Sequence, residues 1–190
     1  MVDRSVTFHD VRERQEKGAV SEVEQWRMAG GRMYEKTAAG EELRVRVVAG
    51  GRGIEIAGAQ VRPLRPAQIE QWHRKVRLSP LNFEAHGVEM QVVTTREGEV
   101  ERLEAVGERM VLVRDARTGI PRRTEDLRLK TAVEFDQPRD AQGRHVPRLE
   151  VHLKLDREVR RDRIGLVEFD RPVPAEVLRL WEALEAGRGI

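Results

Sequence analysis

Cysteine is absent from the 190 residues, which excludes disulfides, thiolate metal sites and cysteine nucleophiles together. Aromatic residues make up only 4%, so a core has to be filled mainly by valine, leucine, isoleucine and methionine. That set suits a sheet better than a compact helical bundle. No run of about 18 apolar residues is available to span a membrane as a helix. The polar opening Met1-Val2-Asp3-Arg4-Ser5 also lacks the apolar stretch of a secretory signal. The chain is therefore expected in the cytoplasm or, where a signal has been removed, in the periplasm or cell envelope. A dominant charge is missing too: 35 basic and 33 acidic side chains leave a formal net charge of +2, a weak general attraction for polyanions.

What is present reads as a single domain over residues 1–190, long enough to bury a core without staples. Leu43, Val45 and Val47 alternate with Glu42, Arg44 and Arg46, the period of two that marks a half-buried strand. Shorter runs of the same kind begin at Val6, Val20, Met33, Ile54, Val88, Val100, Met110, Leu127, Val133, Leu149 and Ile164, separated by glycine, proline or charged turns. Asp136 to Val146 reads as a long connecting loop because Pro138, Asp140 and Gly143 supply turn chemistry. Helical spacing occurs twice, at Ile69, Trp72, His73 and Val76 after Pro66, and at Val177, Leu180, Trp181 and Leu184 before Gly187. The fold class is mostly β, an antiparallel meander with two short helices.

Reactive chemistry finds no constellation to stand on. His9, His73, His86, His145 and His152 form no H-x-x-x-H or H-E-x-x-H pair. Ser5, Ser21 and Ser79 lack a nucleophile elbow. Carboxylates such as Glu22, Glu24, Glu41, Glu42, Glu125 and Asp126 sit at solvated strand and turn positions. Ala49-Gly50-Gly51-Arg52-Gly53 lacks the lysine and helix that a phosphate loop needs, and reads as a β-turn. No enzyme, metal or cofactor is expected. Arginines cluster at Arg122-Arg123 and from Arg157 to Arg163, where Glu158 and Asp162 dilute the field; a nucleic-acid-binding stress protein is the weakest binding alternative. Trp26, Met28, Met33, Trp72, Met90 and Met110 could line an adaptable lipophilic pocket, or equally fill an ordinary core.

Val111-Leu112-Val113-Arg114-Asp115-Ala116-Arg117-Thr118-Gly119-Ile120-Pro121-Arg122-Arg123 resembles the strand, Thr-Gly-x-Pro turn and basic return strand of the LolA/LolB-like lipoprotein-carrier superfamily. That superfamily includes the sensor domain of RseB-type regulators. Phe135 to Pro147, Ile164 to Pro174 and Gly31-Arg32-Met33-Tyr34-Glu35 are similar to further segments of it. In the last of these the family's proline before the arginine is replaced by Gly30-Gly31. The resemblance implies a curved antiparallel sheet or incomplete β-barrel with short helices packed on its concave face. It also implies non-enzymatic binding of a lipid or an acylated protein, as carrier or sensor. Trp72 would then be a lid, and Met90, Val92, Met110 and Leu112 would line the cavity with Trp26, Met28 and Met33. The competing expectation is a protein-interaction or regulatory domain of the same fold with a filled core.

Overall fold

The computed structural model describes residues 7–77, 89–95, 98–105, 107 and 109–187. Its elements are β1 (Phe8–Glu16), β2 (Ala19–Met28), β3 (Arg32–Ala39), β4 (Glu42–Ala49), β5 (Arg52–Ala57), β6 (Gln60–Pro63), α1 (Pro66–Arg77), β7 (Glu89–Thr95), β8 (Gly98–Ala105), β9 (Met110–Asp115), β10 (Pro121–Asp126), β11 (Thr131–Ala141), β12 (Arg144–Lys154), β13 (Arg157–Phe169) and α2 (Ala175–Glu185). Hydrogen-bonded neighbours run β6-β5-β4-β3-β2-β1-β13-β12-β11-β10-β9-β8-β7, an order that does not close on itself. The expected antiparallel sheet with short helices is therefore the observed architecture. The chain forms two compact units: one from Met1–Arg14, Ala19–Val76 and Gly165–Ile190, the other from Gln15–Gly18 and Arg77–Ile164.

In the first unit the cross-strand row Trp26, Tyr34, Val47 and Ile54 is in register and packs against Val177, Trp181 and Leu184 of α2. The adjacent row, Met33 and Val48, packs against Leu64, Ile69 and Trp72 at α1. Neighbouring residues of a strand face opposite sides, so the two helices cover opposite faces of these strands. Val47 and Val48 are consecutive and both fully buried, as this double cover requires. Position 53 is glycine because α1 comes so close: a Cβ there would sit 2.9 Å from Leu64 Cδ1 and 3.2 Å from Ile69 Cγ1.

Local signals set both helices. At α1, Pro66 takes the first helical position, where its missing N–H costs nothing, and Gln68 Oε1 accepts the Arg65 backbone N–H at 3.0 Å. At α2, Glu176 lies in the first turn, favourable for the helix dipole. The far end is closed by Arg52, which donates to Leu184 O at 3.2 Å, and by Arg32, which forms a two-pronged ion pair with Glu185 at 2.7–2.8 Å.

The second unit differs from the sequence reading in two places. Leu127 to Leu129 is a turn rather than a strand: Asp126 Oδ1 accepts the backbone N–H groups of Arg128 and Leu129 at 3.0 and 2.9 Å, which bends the chain after β10. Asp136 to Val146 is not a loop. β11 and β12 pair from Thr131↔Lys154 to Ala141↔Arg144, joined only by Gln142 and Gly143, both at positive φ (53° and 76°). That is the two-residue turn whose twist suits a hairpin. Pro138, taken as a loop residue, faces Pro147 across this hairpin.

Candidate functional site

The eight residues expected to line a cavity are distributed over both units. Trp26 is 2% exposed beneath α2, with Met28 at the edge of the same cluster. Met33 and Trp72 lie on the opposite face, against α1. In the second unit Leu112 and Met110 pack with Leu103 and Ala105. Met90 pairs in register with Leu103, and Val92 with Glu101, on the neighbouring β7; their side chains lie outside the described residues.

The face of the first unit that carries Met33 and Val48 continues into buried charge. Asp10, fully buried, accepts from Arg12 at 3.0 and 2.5 Å and from Arg27 at 3.0 Å. Glu35 accepts from Gln25 at 2.5 Å and from Arg14 at 3.4 Å, and Arg46 bridges Glu35 and Glu55. On the α2 side, the His9 ring stacks on Trp26 at 4.0 Å, its Nδ1 lies 2.9 Å from Glu168 and its Nε2 3.4 Å from Glu24. Glu24 also accepts the Trp26 indole N–H at 3.0 Å. Arg171 pairs with Glu168 and holds that carboxyl below its usual range, with the His9 bond adding to the effect. Tyr34, desolvated and near Glu24 and Glu176, is pushed up to about 12.

In the second unit, Glu150, His152 and Asp162 bring possible metal ligands within 4.8 Å of one another. The Arg160 guanidinium, however, lies 2.7 Å from His152 Nε2 and 3.1 Å from Asp162 Oδ1, so an arginine already supplies the positive charge of this group. Arg161 is held by Glu158 at 2.7 Å. Half of the arginines that might have met a phosphate backbone are thus engaged by acids on their own strand.

An open concavity lies elsewhere, and the sequence reading did not single out its lining. It is a groove of about 960 Å³ in the second unit, bordered on one side by the β9–β10 turn and on the other by the β11–β12 hairpin. Val100, Val113, Ile120, Phe135, Val146 and Val151 supply apolar surface, and Pro121, Pro138 and Pro147 add rigid walls. Strand alternation places Val113 on the face opposite Leu112 and Met110. The turn is fixed by Asp115, whose Oδ1 accepts the backbone N–H groups of Arg117 and Thr118 and the Thr118 hydroxyl at 2.9–3.1 Å, while Oδ2 accepts from Arg122 at 2.6 Å. These bonds, those from Thr118 foremost, draw the Asp115 carboxyl down to about 2. Arg123 is tied to Glu125 and Glu134, each at 2.8 Å. Arg122 and Arg123 at the groove's mouth are thus each already matched by a carboxylate.

No family model and no curated protein matches the sequence. Solved structures do match. A DUF1329 family protein from Desulfovibrio piger aligns over 91% of this chain and 89% of its own, at 11% identity and a TM-score of 0.56. A LolA superfamily protein from Nitrosomonas europaea aligns over 93% and 90%, at 10% identity and a TM-score of 0.59. The chain shares the LolA-like fold. At such identities the likeness is one of architecture, and it covers nearly the whole of both chains. The LolA-like segments read from the sequence, Val111 to Arg123 and Phe135 to Pro147, are the two hairpins that border the groove.

Proposed function

We propose that this domain binds an apolar chain, from a lipid or an acylated protein, without transforming it, and that the groove between the β9–β10 turn and the β11–β12 hairpin holds that chain. The observation that carries the reading is the groove itself, with apolar walls and a rim whose arginines are already neutralised. Hydrocarbon gains about 0.8 kcal/mol per methylene removed from water. Ten buried methylenes would therefore offer about 8 kcal/mol before ordering costs, enough for reversible carriage or sensing with no cofactor. A role in the cell envelope accompanies this reading. Among the described residues no helix is long and apolar enough to cross a membrane.

The three tryptophans, Trp26, Trp72 and Trp181, all belong to the first unit, so a fluorescent acyl probe rather than tryptophan should carry the signal. Saturable binding to the wild type is expected. Ile120→Glu, which sets a carboxylate among the apolar walls, should weaken it at least about tenfold, or about 1.4 kcal/mol, while Val20→Glu, at an exposed position of β2, leaves it unchanged. An unsaturated wild-type titration, or an Ile120→Glu protein that binds as the wild type does, would count against the reading. The filled-core interaction domain is the second reading, and the observation favouring it is the double cover of β4 with buried ion pairs beside it. It predicts no acyl binding by either protein.

A further inference from the structure

The β11–β12 hairpin outreaches its neighbours. β10 pairs with β11 only from Thr131 to Glu134, and β13 pairs with β12 only from Leu149 to Lys154. Beyond those points the two strands continue to Ala141 and Arg144, forming a strand ladder only with each other among the described residues. Such an arm has two open edges, and open edges invite a further strand.

The direction of each backbone group follows from the turn. In a two-residue hairpin the closing pair, here Ala141↔Arg144, is hydrogen-bonded, and pairs then alternate between bonded and non-bonded. Asp140↔His145 and Pro138↔Pro147 are therefore non-bonded pairs, whose N–H and C=O groups point outward, away from the partner strand. On one edge the outward positions past β10 are Asp136, Pro138 and Asp140; on the other, past β13, they are Pro147 and His145. A proline, which has no N–H to give, stands at the middle of the first edge and at the start of the second. Asp136 and Asp140 add charge beside Pro138, and each turns its carboxylate back on the local chain, to the N–H groups of Gln137 (2.7 Å) and Gly143 (3.2 Å).

We infer that Pro138 and Pro147 guard the two edges of this arm and so determine what the groove accepts: an occupant recognised by its apolar surface, and not an extended peptide that adds as a strand. This rests on the proposed function, because both prolines also line the groove. An acyl chain has no backbone to pair and loses nothing at a proline. A peptide strand would find one of its carbonyls without a donor at the proline on whichever edge it approached.

The test uses the full chain with Pro138→Val and Pro147→Val made separately, so that a folding defect in one leaves the other readable; circular dichroism melts monitor folding. Each protein is offered a soluble peptide of alternating threonine and valine, and its self-association is followed by sedimentation velocity. Amide exchange locates any added strand, at Asp136 and Asp140 on one edge and at His145 on the other. The wild type should ignore the peptide, and the folded variants should take it up or associate with themselves several-fold more strongly. Variants indistinguishable from wild type would overturn the inference, as would a wild type that binds the peptide with protection of Asp136 and Asp140 or of His145. Failure of the acyl probe alone would count against the proposed function and leave the edge result to decide the role of the prolines.

Discussion

Trp181→Ala should remove most of the stability of the first unit, at a cost of about 3–5 kcal/mol, the range for deleting a large buried aromatic. Trp181 is fully buried between the row Trp26, Tyr34 and Val47 and the rest of α2, and its indole N–H donates to Met33 O at 3.0 Å. Truncation opens a cavity beneath α2 and removes that bond. Whole domains are stable by only about 5–15 kcal/mol, so the loss will show as a large fall in the urea midpoint. Trp72→Ala is the control: Trp72 is half-buried at the margin of the α1 cluster, and its truncation should cost clearly less. Equal effects would mean that α2 does not anchor this sheet as described.

The second large effect is expected at Asp10→Ala, again about 3–5 kcal/mol, because removing one member of a buried ion pair strands the others. Arg12, 4% exposed, and Arg27 both direct guanidinium hydrogens at this one carboxylate. The network itself need not be worth that much. Replacing Asp10 and Arg12 together by leucine and methionine should recover much of the loss, since well-packed apolar residues often match a buried pair. Denaturant titrations of the single and double variants separate the two cases. A single variant within about 1 kcal/mol of wild type, the value of a surface pair, would contradict the burial described.

These two sites show what a linear reading captures. The helices were legible because Ile69 and Trp72, after Pro66, and Val177, Trp181 and Leu184, before Gly187, recur at helical spacing. The strands were legible where one face meets solvent, as in β4 before Val47. The turn after Asp126 was hidden because Leu127 and Leu129 look like strand residues; the deciding event is an aspartate side chain binding two backbone N–H groups. The β11–β12 arm was hidden for the converse reason, since Pro138 and Pro147 suit a loop until their pairing shows that both face outward. Which face each helix covers depends on register, and no periodicity within one segment contains it.

The site was legible only in outline. Methionine and tryptophan are as much at home in a core as in a lipophilic pocket, and Trp26 and Met33 are core residues of two clusters on opposite faces. The groove draws on β8 to β12, residues that no local pattern links. Its borders could be read as hairpin segments of a LolA-like chain, yet nothing in those segments announced a concavity between them.

The most direct measurement is photolabelling with a fatty acid bearing a photoreactive group midway along its chain, followed by peptide mapping. Binding in the proposed groove predicts adducts on peptides containing Val113, Ile120, Phe135 or Val146, suppressed by unlabelled fatty acid. Competed adducts confined to the first unit, around Trp26 or Met33, would place the apolar ligand elsewhere and contradict the assignment.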